Sequence, residues 1–217
     1  MADVESIAAE LAALGEAPEA PLDSEDVLLS FMARLIRNKA SVEAVRGRAE
    51  AVEHISEWLY REHNTRRVVA GHDANLAALP WRLGGVLVRF GTATPDDAVS
   101  ISYAKLGVAE SGTLVLFAGK DNPASNNWLV RDHLILLDGN TLVANYEQAW
   151  NQIRELTADS GQPRGINFIS GPSSTADIAL HMVTGAHGPQ RVHVVYIGET
   201  EPGLLEQAAE LANQMLA

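Results

Sequence analysis

INFISGPSSTADIALHMVTGAHGP, residues 166–189, sets the first expectation for the fold. An apolar run from Ile166 to Ile169 meets Gly171 and Pro172, and the hydroxyls Ser173, Ser174 and Thr175 follow. A helix is expected over 173–183, with Asp177 in its first turns, closing on Gly185, His187, Gly188 and Pro189. Strand, glycine turn and helix N-terminus in that order leave backbone N–H groups and the positive end of a helix dipole free to hold an anion. The same letters also describe a turn whose serines merely cap a helix, since Ser and Thr are favoured caps anywhere.

Outward from this segment the pattern alternates. Short β-branched or aliphatic runs stand at 68–70, 85–89, 99–102, 112–117, 133–137 and 192–197. Helical patterns lie between several of them, at 73–79, 146–157 and 202–216. Strands alternating with helices predict an α/β fold whose mostly parallel sheet is flanked by helices. Residues 107–109 and 113–117 read as an antiparallel hairpin turning near Ser111 and Gly112. Upstream, helices are expected at 1–14, 24–38 and 41–63, the last from the spacing of Val42, Val45, Ala49, Val52, Ile55 and Leu59. The expected division is an N-terminal helical extension, 1–65, appended to an α/β domain, 66–217.

Composition narrows the function. The 217 residues carry 16 Lys plus Arg against 28 Asp plus Glu, a formal charge of −12 that argues against nucleic acid. The basic stretch at 61–67 sits at a helix end, where cations suit the dipole, and reads as structural. No run approaches the roughly 18–20 apolar residues of a membrane span. The acidic N-terminus lacks the basic region of a secretory signal, so the expected location is the cytoplasm. With no cysteine in the sequence, thiolate nucleophiles, cysteine zinc sites and cysteine-held clusters are excluded from this chain. A redox role would need a partner or an organic cofactor.

A second dense segment, AESGTLVLF at 109–117, puts Glu110, Ser111, Gly112 and Thr113 directly before a strand. Glycine lets a backbone approach a ligand, and Glu110 is placed to be base, nucleophile or polar ligand. A turn glycine among surface polar residues fits the same letters. Asp177 and His181 share a face at a spacing of four, half a metal site at best, so no metal is expected. His187 stands between loop-forming glycines near a strand. The polar loop at 118–133 offers Lys120, Asn126, Asn127 and Arg131, while Asp73 reads as a helix cap. Trp58, Trp81, Trp128 and Trp150 read as packing.

AESGTLVLF, NNWLVRDHLILLD, GPSSTADI and GAHGPQRVHVVYIGE, in this order and spacing, resemble LUD-domain proteins, and the chain is similar to the lactate utilization protein C (LutC/YkgG) family over about 68–199. The resemblance implies a fold like the NagB/RpiA/CoA-transferase group and a role in oxidising L-lactate to pyruvate alongside two iron–sulfur partner proteins. This cysteine-free chain would hold no cluster itself; the clusters are expected on the partners. Carried over by motif, the implied catalytic residues are Glu110, Asp177 and His187. The implied ligand-binding residues are Ser111, Gly112, Thr113, Gly171, Pro172, Ser173, Thr175, Gly188 and Pro189. Two departures stand out: Ser174 where a basic residue is common, and Ala179 where an acid is common. The leading expectation is one pocket at the sheet's carboxyl edge, built from Glu110 and the 171–177 turn, for a small carboxylate or phosphate. The alternatives are a stand-alone enzyme on a phosphosugar or acyl-CoA using Glu110, and a non-catalytic scaffold.

Overall fold

The structure, a computed structural model, describes residues 13, 22, 24–176 and 182–216. Helix α1 (Val27–Arg37) starts where the Asp26 carboxylate accepts from the amides of Leu28 and Leu29, and it ends in Arg34 and Arg37. It leads to β1 (Ser41–Val45), α2 (Arg48–His63), β2 (Arg67–Ala70), the single turns α3 (Ala74–Ala77) and α4 (Trp81–Gly84), β3 (Leu87–Phe90) and β4 (Val99–Tyr103). Then come β5 (Leu106–Val108), β6 (Thr113–Ala118), β7 (Asp132–Asp138), β8 (Leu142–Val143), α5 (Tyr146–Ala158) and β9 (Gly165–Ile169). The short β10 (Ser174–Ala176) and β11 (Met182–Thr184) precede β12 (Arg191–Ile197) and α6 (Leu204–Gln214).

Six strands form one parallel sheet in the order β1-β12-β7-β4-β2-β3. Its central strands are apolar on both faces because both faces are covered. Leu134 and Leu136 of β7, with Val195 and Ile197 of β12, pack against Val52, Ile55, Trp58 and Leu59 of α2. The alternate residues Ile135, Leu137, Val194 and Tyr196 face Phe31 and Leu35 of α1 and Leu204 and Ala208 of α6. A second, four-stranded sheet, β8-β5-β6-β9, is inserted on the α1–α6 face and carries α5 on its outer side. The hairpin expected at 107–117 is β5 and β6, antiparallel.

Two expectations are corrected. Residues 41–45 do not begin a helix; they pair in parallel with 193–197 of β12 as an edge strand. Lys39, with φ of 67°, ends the α1 segment, and Gly47 caps the start of α2, so the apolar spacing at Val42, Val45 and Ala49 runs across a strand and a helix. Nor are the described ends of 173–183 helical: 174–176 pair antiparallel with 182–184. The Gly185 amide donates to the Ser173 carbonyl and the Ser173 amide to the Pro189 carbonyl, which fold the segment back on itself. Its apolar residues Ile178, Ala179, Leu180, Met182 and Val183 are nearly contiguous rather than spaced along one helical stripe. Trp58 and Trp81 pack in the core as expected, but Trp128 and Trp150 are 45% and 42% exposed.

Candidate functional site

The motif segments converge on the amino edge of the parallel sheet. Hairpin β5–β6 turns at Gly112, whose φ of 63° suits glycine and whose α-carbon sits against the backbone of Arg34 and Leu35, where a Cβ would lie 2.7 Å from either. The Asn38 side-chain amide, just beyond α1, donates to the Ser111 carbonyl at 2.8 Å. The Asn38 carbonyl in turn lies where a Cβ on Gly171 would come within 2.2 Å. Asn38 precedes the first residue of β1, and Pro189 and Gln190 directly precede β12. The expected carboxyl-edge pocket is therefore corrected: these segments sit at the opposite end, because the inserted sheet runs back along the face and turns there.

Inside the junction four hydroxyls bond one another. Thr113 Oγ1, fully buried, is 2.6 Å from Ser170 Oγ, 2.7 Å from Ser111 Oγ and 2.9 Å from the Tyr146 hydroxyl. Ser111 Oγ also donates to the Tyr146 hydroxyl at 3.0 Å. Each such bond contributes about 1 kcal/mol net, and together they lock the end of β6 to the end of β9 and to the start of α5. Ser111, Gly112, Thr113 and Gly171 are thus brought together. Tyr146, Ser170 and Asn38 complete the group, and sequence reasoning assigned none of them a part. Ser170 alone carried a signal, a hydroxyl at the end of an apolar run beside the glycine turn.

The next links follow the chain. Pro172 leads to Ser173, whose Cβ lies where a Cβ on Gly188 would be 3.1 Å away, and Pro189 accepts from the Ser173 amide at 2.9 Å. Thr175 stands opposite Val183 in the hairpin, and Ser174 is exposed. His187 is exposed on the wall of a cavity of about 420 Å³, with Trp128, Arg131 and Gly188. Glu110 anchors its amide on the Ala144 carbonyl at 2.9 Å and is half-buried, its carboxylate unpaired among the described residues. Asp177, His181 and Ala179 lie outside the described residues. Of the polar loop, Asn126 is a tether: its side chain accepts from the Ala93 amide and donates to the Gly91 carbonyl.

A charged knot backs this edge on the α2 face. Asp132 at the start of β7 is buried and takes both Nε and an η-nitrogen of Arg191 at 2.8 and 2.5 Å, with His63 at 2.5 Å. Hydrogen bonding to Asp132, helped by a bond to Glu62 and opposed by desolvation, holds the Arg191 guanidinium proton more tightly than usual. The basic stretch is structural here, with Arg66 donating to Ser56 and His63 to Asp132.

Residues 96–197, which hold the junction residues from Ser111 to Pro189, match the family model described as LUD domain. Over those residues the chain is similar to the LUD domain. Lactate utilization protein C of Shouchella clausii is 39% identical over 101 residues, 46% of this chain and 44% of that protein. The protein of the same name from Exiguobacterium sp. is 26% identical over 183 residues, 80% of this chain and 79% of its own length. That of Bacillus subtilis is 34% identical over 102 residues, 46% and 42% of the two chains. The matched part of the chain thus spans less than half the length of the first and third of these relatives. In fold it resembles the crystal structure of a DUF162 family protein from Deinococcus radiodurans, with a TM-score of 0.61, 19% identity, and 83% of this chain and all of that one covered. No helix among the described residues is long and apolar enough to cross a membrane.

Proposed function

We propose that this chain is the cluster-free LUD-domain component of an iron–sulfur system that oxidises L-lactate to pyruvate. The carrying observation is the junction itself: the two motif segments that mark the match to proteins named lactate utilization protein C are bonded through Thr113 and Ser170. Oxidation of lactate to pyruvate releases two electrons and two protons. A chain without cysteine has no thiolates to hold a cluster, so in this reading the electrons pass to iron–sulfur clusters on two partner proteins. Glu110 and His187, the motif side chains that the junction leaves outward, are the groups through which this edge acts on partner or ligand.

The test is co-purification from the native host grown on L-lactate. The tagged chain is expected to retain proteins with iron–sulfur absorbance. Tagged chain that emerges without any such protein, from cells in which lactate oxidation is active, overturns the proposal.

A further inference from the structure

Outside the closed hydroxyl junction, two segments meet at the amino edge: NNWLVR, 126–131, and GAHGPQ, 185–190. Arg131 directly precedes β7 and Gln190 directly precedes β12, and the pairing of these strands brings the two segments side by side. The amides of Gln190 and Arg191 both donate to the Arg131 carbonyl, at 2.8 and 3.3 Å, and fix the approach. Between the segments lies the cavity of about 420 Å³, walled by Trp128, Arg131, Gly185, His187, Gly188 and Gln190. That volume falls within the range of small-molecule sites, roughly 300–1,000 Å³.

One segment supplies an aromatic surface on a rigid mount. Trp128 follows the 3-10 turn Ala124–Asn127, which buried polar bonds hold from beneath. The Asn126 side chain accepts from the Ala93 amide and donates to the Gly91 carbonyl, while the Ser100 hydroxyl donates to the Asn126 carbonyl at 2.5 Å. Yet the indole that this turn carries is 45% exposed, and among the described residues no ring or cation stacks on it. Gly188 passes beside it, where a Cβ would stand 3.5 Å from Trp128 Cε3. A fixed, half-exposed indole is a surface on which another planar ring can stack.

Both segments supply donors. Arg131, His187 and Gln190 are all exposed, and among the described residues none of their side chains has a partner. Gly185, with φ of 84°, turns the loop against Gln190, where a Cβ would come within 2.2 Å of Gln190 Cγ. No Asp or Glu lines the cavity, although the chain carries 28 of them against 16 Lys and Arg. A guanidinium, an imidazole and a carboxamide offer N–H groups, and a phosphate group has three terminal oxygens to accept them.

We infer that this cavity binds a phosphorylated planar ring, of the chemistry of a mononucleotide, with the ring on Trp128 and the phosphate among Arg131, His187 and Gln190. A carboxylate brings two oxygens and a single charge, so a phosphate satisfies more of these donors. The site goes beyond the proposed lactate role. It shares His187 with that role, and neither rests on the other.

The experiment is calorimetric titration of the purified full chain with AMP, adenosine and inorganic phosphate, repeated on Trp128→Ala and Arg131→Gln. AMP is expected to bind about tenfold more tightly than either fragment, since adenosine lacks the charge and phosphate lacks the ring. Trp128→Ala should remove the advantage of AMP over phosphate while leaving phosphate unchanged. Arg131→Gln should weaken both AMP and phosphate about tenfold. Three results each overturn the inference: no heat with AMP at millimolar concentration, AMP binding no more tightly than adenosine or phosphate, or either variant binding AMP as wild type. Thermal melts on both variants verify that they fold. Because purified protein alone is used, a negative result leaves the co-purification outcome standing, and the reverse holds too.

Discussion

The two ends of the parallel sheet solve opposite problems. At the amino edge the polar groups satisfy one another: Ser111, Thr113, Tyr146 and Ser170 form a closed hydroxyl set, and Asp132 is saturated by Arg191 and His63. At the carboxyl edge Arg48 is loosely held, at 3.3 Å from Asn75 and 3.5 Å from Asp138, on the wall of a cavity it shares with Tyr196 and Glu199. The Asp73 carboxylate next along that edge shows the intermediate case. Burial pushes its pKa up, but Lys105 at 2.9 Å, the Asn75 amide and Asn122 outweigh burial and hold it below the usual carboxylate range. The difference teaches that the dense motif letters at the amino edge serve shape first.

Substitutions can break this contrast, and the largest effect is expected at the closed edge. Asp132→Ala leaves the Arg191 guanidinium and His63 facing an empty buried site and should cost about 2–4 kcal/mol in urea unfolding. The figure is held below that of a fully buried pair because the Arg191 side chain is 40% exposed. Unchanged stability would mean that the knot is ornamental.

Acid should act next. Burial lowers His133 and His193 from 6.5 to about 3, with His54 a further cause at His193. The folded state thus keeps both neutral while the unfolded chain binds protons below 6.5, so their contribution is intact above that pH and is lost as the pH falls toward 3. Over the first pH unit below 6.5 the two together should cost roughly 2 kcal/mol, and His133→Gln should flatten part of that slope. Denaturant melts at stepped pH give the measurement.

A smaller effect is expected at Thr113→Val, which keeps the shape but removes the hydroxyl bridging Ser170, Ser111 and Tyr146, at about 1–2 kcal/mol. The least is expected at the open edge. Arg48→Gln should change stability by no more than about 0.5 kcal/mol, since its pair with Asp138 is long and its side chain 42% exposed. A cost at Arg48 as large as at Asp132 would erase the distinction between the two edges.

The sequence made much of the fold legible where burial is two-sided. The runs at 133–137 and 192–197 are apolar apart from the buried His133 and His193 because they are central strands, and they stand in the structure as β7 and β12. Strand β1 was hidden because Val42, Val45 and Ala49 satisfy a helical period by coincidence across Lys39 and Gly47, where the backbone changes course. The pairing of 174–176 with 182–184 was hidden because backbone bonds between Ser173, Gly185 and Pro189 hold it, and no side chain announces them. For the site, Gly112 and Gly171 were readable as places of close approach, and both are pressed against backbone that a Cβ would strike. Asn38 and Tyr146 were not, since they arrive from 73 and 33 residues away from their partners through tertiary packing alone.

In the proposed role this chain serves lactate utilization, with the hydroxyl junction at the amino edge shaping the segments that carry Glu110 and His187. The most direct measurement is growth of a host strain deleted for this chain on L-lactate as sole carbon source. The expected result is that growth is lost, that wild-type protein restores it, and that Glu110→Gln does not do so fully. A deletion strain growing on L-lactate at the parental rate would contradict it.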